Sequence, residues 1–179
     1  MVRIRLLPPS ELSLAIQIDD DASSLFDTVG ISFDALTPAH PFVRHTYARW
    51  EDAAAHNRAF LAIDDDGTPI AFAALARLPE GDALLEQLSV RRPFMRRGVG
   101  RALVQRALEW ARQQEHAWLW LTTYMHVPWN RPYYERMGFH CVNEPECPRS
   151  VSEILEEERA ALPQPTQRTA MRIDTRLST

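Results

Sequence analysis

The stretch ALLEQLSVRRPFMRRGVGRALVQRALEWAR, residues 83–112, decides the architecture of the chain. Residues 83–90 alternate as in a β-strand, and this alternation places Leu84, Glu86, Leu88 and Val90 on one expected face. Residues 99–112 repeat their apolar side chains at three-to-four spacing, which predicts an amphipathic helix. The residues expected on its buried face are Val99, Leu103, Ala107, Trp110 and Ala111. A strand, an arginine-rich loop and a helix therefore follow one another directly.

The sequence on either side of this stretch predicts further strands and helices. Two apolar runs, 60–63 and 70–76, flank an aspartate-rich turn and predict a hairpin. The aromatic and β-branched run 118–124 predicts a buried strand, and the helix that separates it from 83–90 implies a parallel pair. The other expected elements are strands at 3–7, 139–142 and 169–173, a polar helical region at 10–36, and helices at 42–57, 130–137 and 151–162.

The order of elements predicts an α/β (α+β) fold, with a mixed and mostly antiparallel sheet of about six to seven strands flanked by helices. The chain has 179 residues, of which 45% are hydrophobic and 25% charged, and its formal net charge is −4. These values are typical of one globular domain, which we expect to cover residues 1–179.

Composition excludes several enzyme classes. All 20 basic residues are arginine, so a Schiff-base lysine, pyridoxal phosphate attachment and a P-loop lysine are excluded. The sequence shows neither the apolar core of a signal peptide nor a run approaching ~18 apolar residues, which favours a cytoplasmic protein without a membrane partner. Cys141 and Cys147 have no nearby histidine pair, and we expect reduced thiols without a metal site.

The loop before the helix has the features of an anion site. Gly98 and Gly100 allow close backbone approach, and the first helical N–H groups attract a pyrophosphate. Residues 91–112 contain seven arginines and one acid, Glu109. A Rossmann site is improbable because Leu103 stands where that motif needs a small residue. Nucleic acid is not expected as a partner, since the chain is acidic overall.

At this loop the sequence resembles the GNAT superfamily of N-acetyltransferases, whose pyrophosphate loop has the pattern Q/R-x-x-G-x-G/A. Residues 95–100 read Met-Arg-Arg-Gly-Val-Gly, so both glycines match, while Met95 replaces Gln or Arg. A second match is the tyrosine followed after three residues by Gly-Phe, here Tyr134 and residues 138–139. The resemblance extends over about residues 3–175 and implies a sheet that is splayed at its centre.

The resemblance also implies roles for individual residues. Acetyl-CoA would be the cosubstrate, Tyr134 would donate a proton to the departing thiolate, and Glu86 is the best candidate for the general base. His40, His45 and His126 are further candidate bases. The residues expected to bind acetyl-CoA are Leu88, Ser89, Val90, Arg96, Arg97, Gly98, Val99, Gly100, Arg101 and Asn130.

Three functions remain open from the sequence. The first is acetyl transfer to the primary amine of a small molecule by direct attack in a ternary complex. The second is a CoA-binding sensor without turnover, and the third is transfer of another acyl group or transfer to a protein N-terminus. Acidic and aromatic residues in 10–57 and 124–130 would suit a cationic amine. The family resemblance also allows a homodimer formed through the acidic helix 151–162 and the final strands.

Overall fold

The computed structural model describes residues 2–176, and this part of the chain contains seven strands and five α-helices. The strands are β1 (Arg3–Leu6), β2 (Ala59–Ile63), β3 (Pro69–Arg77), β4 (Ala83–Val90), β5 (Trp118–Tyr124), β6 (His140–Val142) and β7 (Arg168–Asp174). The helices are α1 (Leu12–Ser23), α2 (Pro41–Ala55), α3 (Val99–Gln113), α4 (Arg131–Glu135) and α5 (Arg149–Ala161). Among these described helices, none combines the length and the apolar character that crossing a bilayer requires.

The strands follow the order β1-β2-β3-β4-β5-β7-β6. Contacts divide the chain into two compact units, the first made of the residues up to 76 and 85–110, the second of 77–84 and the residues from 111 onward. The single domain expected over residues 1–179 stays a prediction.

In the first unit, β1 pairs antiparallel with β2, and β2 antiparallel with β3. Helices α1 and α2 bury their apolar faces in one cluster with these strands, since Ile18, Trp50 and Phe72 all belong to it. The rings of Trp50 and Phe72 meet edge to face with centroids 4.9 Å apart. The predicted apolar face of α3 is confirmed, because its five residues are all buried.

In the second unit, β4 pairs in parallel with β5 through Ala83 and Leu84, as the crossover helix predicts. Strand β7 pairs antiparallel with β5 on one side and with β6 on the other. Helix α5 is tied to this sheet through Glu158, which forms an ion pair of 2.7 Å with the buried Arg168 and accepts a hydrogen bond from Thr122.

The prediction of a helical region over residues 10–36 is wrong in its second half. Helix α1 ends at Ser23, a 3₁₀ segment runs over Ser24–Val29, and Gly30 ends it with a left-handed backbone at φ 73°. The Ser24 hydroxyl donates to the carbonyl of Asp21 at 2.7 Å, a local hydrogen bond that competes with helix continuation.

Candidate functional site

The loop between β4 and α3 is held at its base by Arg91. The Arg91 amide donates to Ile70 at 2.8 Å, and its guanidinium Nε donates to the carbonyl of Pro69 at 2.9 Å. Pro93 lies in a short 3₁₀ turn, after which Arg96 and Gly98 adopt left-handed backbones at φ 62° and 82°. These two turns direct the chain into the N-terminus of α3.

The N-terminus of α3 is open at Gly98. A Cβ added there would meet nothing within 4 Å, so the backbone is accessible from that side. The Ala102 amide donates to the carbonyl of Gly98 at 3.0 Å, and the amides at the very start of a helix have no partner within it. Together with the helix dipole, they provide the donors that a diphosphate needs.

Three guanidinium groups flank this backbone. Arg96, Arg97 and Arg101 are exposed, and none of them forms an ion pair with another described residue. Arg97 lies over the Phe94 ring at 5.4 Å from its centroid. Other arginines of the stretch have structural partners instead, since Arg106 forms an ion pair of 3.3 Å with Glu109. The three exposed side chains therefore leave their charge available to an anion.

The C-terminal half of β4 carries a polar network that the sequence did not predict. The Ser89 hydroxyl donates to Oδ1 of Asp19 at 2.7 Å, and the Gln87 amide donates to the same oxygen at 2.9 Å. Ser89 is buried, whereas Leu88 and Val90 are half-buried. Burial raises the pKa of Asp19 to about 6, and the neighbouring Asp20 acts in the same direction. The pKa of this carboxyl therefore lies near neutral pH.

Glu86 lies in a different environment. Its Oε2 forms an ion pair of 3.1 Å with Nε of Arg49 on α2, and its side chain is 8% exposed. Simple alternation would separate Glu86 from Gln87 and Ser89, yet both sets of side chains reach the α1 and α2 pair. Glu86 also borders a cavity of about 250 Å³ with His45, Asp52 and Arg58.

Tyr134 is positioned by short helix α4. Its amide donates to Asn130 at 3.1 Å, and its carbonyl accepts from Phe139 at 3.1 Å in the hydrogen-bond pattern of a Schellman C-terminus. The Tyr134 ring meets those of Tyr133 and Phe139 edge to face, with centroids 5.3 and 5.6 Å apart. Its hydroxyl has no hydrogen-bond partner among the described residues, and burial raises its pKa.

Gly138 fixes the end of α4 and allows a test of this geometry. Its φ is 96°, and a Cβ there would lie 3.2 Å from Cδ1 of Ile173. We expect Gly138→Ala to lower the free energy of unfolding by about 2 kcal/mol, combining left-handed strain with this contact. The matched control Gly67→Ala has similar strain at φ 84° and open space, and should lose about 1 kcal/mol. Urea unfolding measures both, and equal losses would exclude a contribution from Ile173.

The remaining predicted residues have varied environments. Asn130 lies at the N-terminus of α4, and its side chain makes no capping hydrogen bond. Nδ1 of His40 accepts from the amide of Phe42 at 3.2 Å and caps α2. His126 stacks edge to face on Tyr124 at 5.9 Å.

A family comparison identifies the fold. A model described as the acetyltransferase (GNAT) family matches residues 31–139, which is more than half of the chain. The chain belongs to the GNAT family. The matched range contains the loop before α3, Glu86 and Tyr134. Membership confirms the predicted family and fold class. It also confirms the predictions that the protein is an acyltransferase and that acetyl-CoA is its cosubstrate.

Solved structures share this GNAT fold at low sequence identity. A GNAT acetyltransferase from Staphylococcus aureus Mu50 is 14% identical with a TM-score of 0.71, covering 98% of this chain and 100% of its own. The PaiA N-acetyltransferase from Thermoplasma acidophilum, in complex with coenzyme A, is 15% identical with a TM-score of 0.70, covering 97% of this chain and 99% of its own.

N-acetylglutamate synthase from Neisseria gonorrhoeae, complexed with coenzyme A and N-acetyl-glutamate, is a larger protein of similar fold. It is 15% identical, with a TM-score of 0.68 over 99% of this chain. The match covers 36% of that protein, so this chain spans about a third of its length.

Proposed function

We propose that the protein is an N-acetyltransferase that moves the acetyl group of acetyl-CoA to the primary amine of a small molecule. The supporting observation is the start of α3, where Arg96, Arg97 and Arg101 are exposed beside the open backbone of Gly98. Backbone amides and guanidinium groups are the donors that bind a diphosphate strongly. The residues present therefore fit the phosphates of coenzyme A.

Backbone groups of β4 have the second role in this proposal. The amides of Leu88, Ser89 and Val90 would bind the pantetheine arm and polarise the acetyl carbonyl. Hydrogen bonds to that oxygen strengthen as it becomes negative in the tetrahedral intermediate, so they accelerate the attack. We assign Asn130 to coenzyme A binding as well.

Tyr134 would act on the leaving group. Its hydroxyl has no partner among the described residues, so it can donate a hydrogen bond to the departing thiolate. A thiol has a pKa of ~8.5 and a phenol one of ~10, and burial raises the pKa of Tyr134 further. Full proton transfer is therefore uphill, and the phenol stabilises the thiolate mainly through the hydrogen bond.

The acceptor must lose a proton before it attacks, because an ammonium group has no free lone pair. A carboxylate on or beside β4 would take this proton, and Glu86 is the residue that the sequence predicts for it. Direct attack in a ternary complex needs no covalent intermediate on the protein. In this proposal the reaction takes place in the cytoplasm, where the thiols of Cys141 and Cys147 would stay reduced.

Release of free thiol from acetyl-CoA, measured with a panel of polyamines and amino acids, tests this function. We expect turnover with at least one amine, and we expect Tyr134→Phe to lower kcat by about 10- to 100-fold, the value of one hydrogen bond to a charged group. Tyr133→Phe is the matched control and should retain the wild-type rate.

Two outcomes would contradict the proposal. Acetyl-CoA binding without thiol release on any amine would indicate a CoA-binding sensor. A Tyr134→Phe variant with the full rate would remove the role of the phenol and leave the fold unaffected.

A further inference from the structure

We infer that Asp19, rather than Glu86, is the general base that takes the proton from the acceptor amine. This inference rests on the proposed function. The first observation is the position of Asp19 on α1, where its carboxylate accepts a hydrogen bond from Ser89 near the C-terminal end of β4. Ser89 lies in the segment to which we assign the acetyl carbonyl, so the carboxylate lies beside the place where the amine attacks.

The hydrogen bonds of Asp19 leave one oxygen available. Oδ1 accepts from Ser89 at 2.7 Å and from Gln87 at 2.9 Å, and Gln87 also donates to the Ser89 hydroxyl at 2.9 Å. These three contacts fix the orientation of the carboxylate. Among residues 2–176, no donor reaches the other oxygen, Oδ2. A fixed carboxylate with one available oxygen is the geometry that a general base needs.

The charges around Asp19 also favour this role. Asp20 on the same helix is the charged neighbour that raises the pKa of Asp19. From α2, the phenol of Tyr47 faces both carboxylates. No basic side chain of the described residues forms an ion pair with Asp19. The negative charges of Asp19 and Asp20, with no cation paired to them among the described residues, attract an ammonium group. The carboxylate of Asp19 is then not neutralised by a protein side chain.

Glu86 differs in the property that matters most for a base. Its carboxylate already has a cationic partner, the Arg49 guanidinium at 3.1 Å. An ammonium group approaching Glu86 would compete with the Arg49 guanidinium for the same carboxylate. Asp19 has no cationic partner among the described residues, and burial raises its pKa to about 6, near neutral pH, where a general base works best.

The proton and electron balance of the reaction is complete without a further reactant. The ammonium gives one proton to Asp19, and the freed lone pair forms a C–N bond to the thioester carbon. The C–S bond then breaks, and its electron pair leaves with the CoA thiolate. The nitrogen loses a second proton, which protonates the thiolate by way of water, while Asp19 returns its proton to solvent. The products are an N-substituted acetamide, free CoA and one proton.

The pH dependence of kcat/KM, measured by thiol release with the best amine of the panel, tests this role. For the wild-type protein we expect a rise through pH about 6 and then a plateau. For Asp19→Asn we expect a loss of about 10²- to 10⁴-fold at pH 7. Its rate should then rise about tenfold per pH unit toward the amine pKa of ~10, because only free amine reacts.

Two further variants complete the experiment. Asp66→Asn makes the same chemical change at an exposed hairpin turn in the same unit and should keep the wild-type profile. Glu86→Gln should keep the rise near pH 6. Carbon-13 NMR of labelled aspartate gives a readout independent of activity, since one carboxyl should titrate at about pH 6 and be missing from the Asp19→Asn spectrum.

The outcomes separate this inference from the proposed function. No thiol release by the wild-type protein with any amine would contradict both. Wild-type turnover with an unchanged profile in Asp19→Asn, or loss of the rise in Glu86→Gln alone, would overturn the role of Asp19 and leave the acetyltransferase function intact.

Discussion

Asp19→Asn is expected to stabilise the folded protein by up to about 3 kcal/mol above pH 6, and to lose this advantage below pH 4. In the unfolded chain the Asp19 carboxyl has its ordinary pKa of 3.8, whereas burial raises the folded value to about 6. The folded state therefore binds more protons between these values, and wild-type stability falls as pH rises through them. Each pKa unit corresponds to about 1.4 kcal/mol. Because the Asp19 side chain keeps some contact with solvent, the stabilisation of about 3 kcal/mol is an upper limit.

Urea unfolding followed by tryptophan fluorescence between pH 4 and 8 measures this difference. Asparagine keeps a carbonyl oxygen for Ser89 and Gln87, so the network loses its charge but not its acceptor. Asp66→Asn should show no comparable pH dependence, because Asp66 is exposed. A stability difference that is constant with pH, or a less stable variant at pH 7, would contradict a desolvated carboxylate at position 19.

Combined with the expected loss of activity, this result would separate function from stability. A side chain whose removal stabilises the fold but slows the reaction has a functional role and not a stabilising one. The pair of measurements therefore tests whether the buried carboxylate is a functional group or only part of the packing.

Reversing two charges at the start of α3, in Arg97→Glu with Arg101→Glu, is expected to weaken acetyl-CoA binding by at least about 100-fold. A hydrogen bond to a charged group contributes about 1.5–3 kcal/mol, and two are lost here. The fold should persist, because both side chains are exposed and form no ion pair with other described residues. The wild-type affinity should also fall as salt is added, since the contacts are electrostatic.

Isothermal titration of each protein with acetyl-CoA, at low and at high salt, measures this effect. Arg44→Glu is the matched control, because Arg44 is exposed on α2 in the same unit. Its affinity for acetyl-CoA should equal that of the wild type, apart from the small effect of its more negative net charge. If the double variant and the control weaken binding equally, general charge would explain the effect and the assignment of the phosphates to this loop would fail.

Local patterns in the sequence predict much of this fold. The three-to-four spacing of Val99, Leu103 and Ala107 marks the buried face of α3, and all three side chains are buried in the structure. The parallel pairing of β4 with β5 follows from the helix between them. The loop could be found because glycines and arginines cluster in a chain that is otherwise acidic.

The polar network on β4 could not be predicted because its contacts are distant in sequence. Ser89 and Asp19 are 70 positions apart, and nothing in the alternation of residues 83–90 indicates which helix covers Ser89. The ion pair of Glu86 with Arg49 is hidden for the same reason. The run of three aspartates at 19–21 was a visible signal, but the sequence does not show that only the first meets β4 in this network.

The most direct test of the account is a calorimetric titration of the wild-type protein with acetyl-CoA. We expect one molecule bound per chain, with a dissociation constant of roughly 1 µM to 1 mM, the usual range for enzyme substrates. A titration without binding, under conditions where the protein is folded, would contradict the assignment of coenzyme A to the start of α3 and the proposed function with it.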